Sequence, residues 1–402
     1  MNIRLGAGVS VAAGAAVLFV GLLLVPFVGS ENSHALPVAN DQTKARMDKI
    51  FAALVQVLPR SLNGAEYEKA ANREAIQSQL KTLADEASGL EAHAAGGDKT
   101  FAFLAGSLAR DARDIQRWYS RGSYGESRYL LHNFTENCVA CHSRLPAAKT
   151  FPAAEAFFKD VKIANLPLVE RAQLQMATRQ FDAALQTYED LFSSASSRVS
   201  EIIMMDGFLD YLKVSIRVKQ DLTRPVPVLE KMLKRPDLPQ FASIQIRQWI
   251  DSLKKLSRRK DKAGTELVAA RKIIGDAQRS SEFRMDRGKM VDYIYASKLL
   301  NEYIQRKDGA APATQGKPQP ELAEAYYLLG ITEAMTGRSY WLSQTEFYLE
   351  TAVRYAPRSK YAEKAYALLE EQVMVEFSGS GGTNIPDDMQ KTLDDLRLLM
   401  KR

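Results

Sequence analysis

Between Leu131 and Leu145 the apolar and sulfur side chains recur every three or four positions: Leu131, Phe134, Cys138, Cys141 and Leu145, with Pro146 closing the run. That interval marks one face of a helix, and the proline marks its end. It commits the only two cysteines of a 402-residue chain to a single helical seam. A seam of this kind has to be covered by neighbouring helices. From about residue 160 onward the chain reads as short amphipathic helices with no strand-like alternation. The expected fold class is all-α.

Residues 41–146 divide into four helices. The first carries Met47, Ile50 or Phe51, Leu54 and Leu58, and is expected to stop at Pro59. The second, about 66–95, carries Ile76, Leu80, Leu83, Ala87 and Leu90 and ends at Gly96 and Gly97. Asp98 is placed to cap the third, whose stripe is Phe101, Leu104, Leu108, Ala112, Ile115 and Tyr119. The segment "RGSYGES" turns the chain into the fourth, the cysteine helix. Together they make a four-helix unit over 40–150.

Upstream, residues 5–29 contain no charge, a stretch longer than the roughly 7–15 residues of a signal-peptide core and near the roughly 20 needed to span a bilayer. A single Arg4 precedes it and no cation follows closely, which favours the N-terminus inside and the remainder outside. Ser33, His34 and Ala35 form a small-x-small pattern at about cleavage distance. Residues 1–35 are therefore either a membrane anchor, spanning with 5–28, or a cleaved signal. Both alternatives predict export to the periplasmic side of a bacterial inner membrane. With 46% apolar and 25% charged residues the remainder is ordinary globular protein, of a length for two or three domains. A net charge of +6, from 54 bases against 48 acids, does not imply nucleic acid.

Export sharpens the question of the thiols. Two cysteines in an exported protein normally pair, yet a disulfide between positions three apart in a helix is strained. Cys138-Val139-Ala140-Cys141-His142 instead fits Cys-x-x-Cys-His, the pattern of covalent c-type haem attachment. Two thiols one helical turn apart can each add to a porphyrin vinyl group, and the next imidazole can reach the iron as proximal ligand. A thioredoxin-like pair needs a βαβ context, which is not visible. A zinc site needs further ligands from three other histidines and no other cysteine. One haem c is expected, held through Cys138 and Cys141 with His142 on the iron.

A four-helix bundle with this motif in the last turns of its final helix resembles the cytochrome c-prime and c-556 group. The resemblance covers about a quarter of the chain and rests on one motif and the helix order. It implies a haem between the helices near the bundle end, His142 as proximal ligand, and a residue early in the first helix facing the distal side, most naturally Met47. The group often has an aromatic and a basic residue after the motif; here Arg144 is kept but Leu145 and Pro146 follow, so the helix ends sooner. Three distal arrangements stay open: Met47, His93, which shares the same bundle end, or an open position. His132 is excluded, because ten residues along a helix is about 15 Å; it is expected to serve as a surface or interhelical hydrogen-bonding group. His34 has no evident partner. Methionine opposite histidine raises the reduction potential, a second histidine lowers it, and an open position admits small gases.

Residues 160–402 look like tetratricopeptide repeats in two places. One has Phe181, Ala184, Tyr188 and Leu191 after a helix over 167–178; the other has Leu329 and Gly330, then Leu349 and Ala352, then Pro357. The middle, 198–306, is helical but degenerate, so an irregular helical array is the alternative. Residues 308–320 form a flexible connection, 254–262 ("KKLSRRKDK") a basic cluster that is more often a solvated helix end, and "SYWLS" around Tyr340 and Trp341 a docking surface or ordinary packing.

The leading expectation is an exported monohaem cytochrome that passes single electrons, its repeats forming a docking platform for a redox partner protein or a membrane complex. It is read as an electron carrier rather than a catalyst. The alternative is a haem-based gas-binding or sensory module that signals through the repeats. Peroxidase-type catalysis ranks third, since no distal His-Arg pair is legible.

Overall fold

The computed structural model describes residues 41–94, 98–144, 166–204, 206–281, 286–308, 318–336 and 344–401. Among them the extended structure is one small antiparallel hairpin, Ser378–Gly379 against Gly382–Thr383, and the remaining regular structure is helical. The chain is all-α at this level. No helix of the described residues is long and apolar enough to cross a membrane. The apolar run 5–29, His34, Gly96, Gly97, Leu145, Pro146, most of the 308–320 connection, Tyr340 and Trp341 lie outside the described residues.

The first group of helices is α1 (Asp41–Ser61), α2 (Gly64–Glu68), α3 (Ala70–Ala94), α4 (Lys99–Ser120) and α5 (Tyr124–His142). The four long ones enclose a buried cluster that includes Ile50, Leu54, Leu80, Leu83, Leu90, Ile115, Leu131 and Phe134. Short connections make them run up and down in succession, as in other bundles. Two boundaries differ from expectation. Pro59 lies inside α1, in its last turn, where the missing N–H removes one bond and the helix still closes with Leu62 N donating to Leu58 O at 3.3 Å. The second helix is broken at Lys69, whose ψ is 126°. The cause is Tyr67, fully buried: its carbonyl accepts from Tyr119 Oη at 3.0 Å and its hydroxyl meets Ser127 Oγ at 3.0 Å. In an unbroken helix that carbonyl would be turned into the backbone ladder.

The second group comprises α6 (Leu168–Ala177), α7 (Phe181–Ser193), α8 (Val199–Met204), α9 (Gly207–Lys213), α10 (Pro225–Met232), α11 (Gln240–Leu256), α12 (Glu266–Arg279), α13 (Met290–Asp308), α14 (Pro320–Thr336), α15 (Gln344–Tyr355), α16 (Lys360–Glu376) and α17 (Asp387–Lys401). Sequential neighbours pair, α6 with α7, α12 with α13, α14 with α15 and α15 with α16, giving a repeat-like array around one long buried cluster. Phe181, Ala184, Tyr188 and Leu191 are all buried in it. Gly330 lets α14 approach α15, since a Cβ there would overlap the Leu349 side chain. A π-helical turn, Val214–Val218, follows α9 and carries Arg217 into a buried ion pair with Glu333 at 3.1 Å, with its Nε donating to Ser297 Oγ at 2.8 Å. The basic cluster is a solvated helix end: Lys254 pairs with Glu230, Arg259 with Asp261, and Lys255, Arg258, Lys260 and Lys262 are exposed.

The end of the bundle that carries His142 is seated between two parts of the array. Helix α5 packs on α6. At the start of α4, Phe103 stacks on Phe347 of α15 with centroids 4.3 Å apart, and Lys99 Nζ lies 3.8 Å above the Tyr355 ring.

Candidate functional site at the bundle–array junction

Cys138, Cys141 and His142 occupy the last turns of α5, each half-buried, and both thiols are free. Cys138 and His142 are four positions apart, so the two share one helix face. Burial pushes the Cys138 thiol up to about 12 and raises that of Cys141 as well. A redox or nucleophilic cysteine is helped by the opposite shift, toward thiolate, and the described residues contain no βαβ unit of the thioredoxin kind. Among the described residues no group of three or more His, Cys, Asp and Glu is placed to hold a metal ion.

The histidine is oriented by the array. His142 Nδ1 lies 2.8 Å from the carbonyl oxygen of Ala177, the last residue of α6. A carbonyl can only accept, so Nδ1 carries the hydrogen. Burial, reinforced by the nearby Arg179 charge, lowers the imidazole pKa to about 4, against the opposing pull of the Ala177 bond. The ring is therefore neutral with its one proton on Nδ1, and Nε2 keeps its lone pair. That is the tautomer an imidazole needs to bind iron through Nε2, with the other nitrogen tied to a carbonyl.

Helix α6 ends in a way that frees the Ala177 carbonyl. Gln180 N donates to Gln175 O at 2.7 Å and Arg179 N to Met176 O at 3.0 Å, the paired bonds of a Schellman motif. They satisfy the Gln175 and Met176 carbonyls and leave that of Ala177 pointing out of the helix end. The residue in the left-handed position of this turn is not glycine but Arg179, with φ of 62°. Its Nε is buried and finds no hydrogen-bond acceptor. The guanidinium lies close enough to Cys141 and His142 to shift both.

A second anchor fixes the end of the motif. Arg144, nine-tenths buried, pairs through Nη2 with Asp98 Oδ2 at 2.6 Å. The other oxygen of Asp98 caps α4, accepting from Thr100 N at 2.8 Å and Phe101 N at 3.3 Å. Burial works against the Asp98 charge, but Arg144 and the two backbone donors outweigh it and hold the carboxyl below its ordinary value. Thr100 Oγ1 and Asn137 Oδ1 join Arg179 Nε as buried polar atoms without partners at this end of the molecule.

The cysteine seam is shared between the bundle and the array. Leu131 and Phe134 are fully buried in the bundle, but Cys138 packs against both clusters and Val139 belongs to that of the array. The reason is that α5 is also the helix on which α6 docks, so its last turns have array on one side and bundle on the other.

The two distal candidates sit at different depths. Arg46 and Lys49 both reach Glu86, at 2.9 and 2.8 Å, which puts Met47 level with that part of α3. Arg113 reaches Glu91 at 3.1 Å and Asn137 reaches Asp111 at 2.6 Å, which puts His93 near the level of Asn137. Met47 is thus about 10 Å nearer the bundle middle, seven residues along α3. Both side chains are half-buried, and Met47 packs against the bundle core. His132 is exposed, its Nε2 3.2 Å from Ser61 Oγ, the interhelical hydrogen-bonding role expected for it.

The motif and the Asp98 cap are legible in the sequence; Ala177 and Arg179 are not. The Ala177 contribution is a backbone atom, and an arginine in a left-handed turn carries no local signal. No protein-family model matches this chain, and no curated protein or solved structure is significantly similar to it, so function rests on the chemistry of these residues.

Proposed function

We propose that this chain is an exported monohaem c-type cytochrome that transfers single electrons, with its helical array, of tetratricopeptide-like character, as a docking platform for a redox partner protein. The observation that carries the reading is the geometry of the Cys-x-x-Cys-His turn: two unpaired thiols one helical turn apart, followed by an imidazole whose Nδ1 is already engaged by the Ala177 carbonyl. The residues fit the group. Each thiol would add across a vinyl group, sulfur to one carbon and its hydrogen to the other, with no net oxidation. A haem c so held supplies a one-electron couple at its iron. The chain's own contribution is to orient His142, to exclude water around it with Val139 and the α6 helix, and to carry Met47 and His93 as alternative distal ligands.

A hydrogen bond from the proximal histidine to a carbonyl raises ligand basicity and fixes ring orientation, two of the levers by which a protein sets a haem potential. The unit boundaries, with residues 40–150 carrying the haem and 160–402 the platform, and the placement on the periplasmic side through residues 1–35, belong to the same proposal.

The test is a reduced-minus-oxidised absorption spectrum of the full chain after maturation in a haem-competent host. A c-type α-band that disappears in the Cys138→Ser, Cys141→Ser double variant is expected; a wild-type chain without the band would falsify the reading. Met47→Ala and His93→Ala, followed in the visible and near-infrared, identify the distal ligand. A five-coordinate ferrous spectrum that shifts fully with CO selects the gas-binding alternative instead.

A further inference from the structure

One side chain near the end of α5 is buried with half of its bonding undone. Asn137, 3% exposed, stands one position before Cys138 and reaches across to α4. Its Nδ2 donates to Asp111 Oδ2 at 2.6 Å, while its Oδ1 is shut away from water with no donor. A buried acceptor left unmet carries the full cost of its desolvation. The partner across from it is an acid. An ionised carboxylate can only accept, so it serves the N–H and does nothing for the amide oxygen; a protonated one has an O–H to give. With that hydrogen in place the two planar groups close edge to edge. Asn137 Nδ2 donates to one Asp111 oxygen, and the O–H on the other donates to Asn137 Oδ1.

We propose that Asp111 and Asn137 form an acid–amide latch between α4 and α5, closed while Asp111 holds a proton and opened when the proton leaves. The latch goes beyond the haem reading and stands or falls apart from it. Asp111 is half-buried, so its proton exchanges with solvent although the amide oxygen behind it is sealed. Burial raises the Asp111 pKa and the Asp114 charge adds to it; the Asn137 bond and Arg110 act the other way without overcoming it. Both charges that act on it lie on α4. From α5 the facing group is the neutral amide, and Arg113, on the side toward α3, is taken up by Glu91 at 3.1 Å and Ser88 at 2.9 Å. A carboxyl raised in the folded state stabilises it fully below the ordinary aspartate value of about 4, and that contribution is lost as pH rises through the folded value. The Asp98–Arg144 pair works in the opposite sense, since its carboxyl is held low. The turns that carry Cys138, Cys141 and His142 thus lie between two anchors of opposite pH response.

The experiment uses the full chain and reads the proton directly, as the infrared carbonyl stretch of a protonated carboxyl at about pH 5, where an ordinary aspartate is mostly ionised. Asp292, also raised by burial, is present in both chains and cancels in the difference between wild type and Asp111→Asn. A band present in the wild type and missing from Asp111→Asn is expected. The second reading is amide exchange over residues 134–142, corrected for its intrinsic pH dependence. As pH rises the wild type should lose about tenfold in protection, the scale of one buried hydrogen bond. Asp111→Asn stays uncharged and keeps an N–H for Asn137 Oδ1, so its protection should stay level. Absence of the band overturns the latch, and so does an equal pH response in the two chains, which would leave Asp111 a buried acid only. If Asp111→Asn fails to fold, Asn137→Ser decides by the same readings, because serine cannot close the pair. Its band should weaken and its pH response flatten; both unchanged would overturn the latch.

Discussion

Between residues 41 and 144 the buried side chains are chiefly Leu, Ile and Ala, and the buried tyrosines 67 and 119 bond to a hydroxyl and a backbone carbonyl. Between residues 166 and 401 the helices are joined instead by tyrosines bonded to carboxylates: Tyr188 to Asp210 at 3.0 Å, Tyr211 to Glu189 at 3.0 Å, Tyr295 to Asp261 at 2.6 Å and Tyr303 to Glu321 at 2.8 Å. The contrast follows from what each region has to specify. A bundle of long helices with continuous apolar stripes sets its own register by packing. The array has shorter, more degenerate helices, and directional polar bonds between neighbours select one arrangement among many that would bury similar area. The buried Asp98–Arg144 ion pair anchors the bundle at its Cys138–His142 end, which is also where the array docks.

Acid should separate the two regions most strongly. In the array the Arg306 hydrogen bond holds Glu266 at about 2, and Glu333 is kept low by Lys213 and Arg217 in spite of its burial. Groups depressed in the folded state stabilise it above the ordinary carboxylate range, near 4, and that contribution is lost as pH falls through the folded value. Each region also has an acid raised by burial, Asp111 in the bundle and Asp292 in the array, which gains stability as it protonates. The difference lies in the depressed acids, Glu66 and Asp98 in the bundle against Asp221, Asp237, Asp261, Glu266 and Glu333 in the array. Hydrogen exchange resolved by segment should therefore show the array losing protection before the bundle between about pH 4 and 2. Simultaneous loss would break the contrast.

Next in size is the exception inside the bundle. Asp98→Ala removes the α4 cap and leaves Arg144 buried without its partner, and should cost about 3–5 kcal/mol in urea unfolding. A loss below about 1 kcal/mol would mean that the pair behaves like a surface ion pair. Smaller again is Gly330→Ala, where the new methyl meets Leu349 and should cost about 1–3 kcal/mol by overpacking α14 on α15. A neutral result there would show that the array yields where the bundle does not. The smallest expected effect is Tyr67→Phe, about 1 kcal/mol for the lost Ser127 bond. The same experiment sharpens the account of the α2–α3 break, because the Tyr67 backbone bond to Tyr119 remains and the break should persist in the amide exchange of residues 67–71.

Much of the bundle was readable from spacing alone. The stripes of α3, α4 and α5, the Asp98 cap and the Cys-x-x-Cys-His turn are local patterns, and local patterns survive in sequence. The breaks were harder. Pro59 continues a helix because it falls in the last turn, and Lys69 interrupts one because Tyr67, sixty residues from Ser127, is drawn into a buried pair. In the array, helix positions were legible but the tyrosine–carboxylate bonds were not, since each joins helices whose relative register no single segment encodes.

The sequence alone is enough to make this chain helical and to put Cys138, Cys141 and His142 at the end of one helix. Tertiary structure alone decided which nitrogen of His142 is engaged and which cation stands beside it. The 3.6-residue period and the Cys-x-x-Cys-His spacing act within a turn or two of helix. The Ala177 carbonyl is freed by the end of a different helix, and Arg179 is brought to Cys141 and His142 only when α6 docks on α5. Contacts of that range are set by how helices pack, and packing is a property of the whole fold.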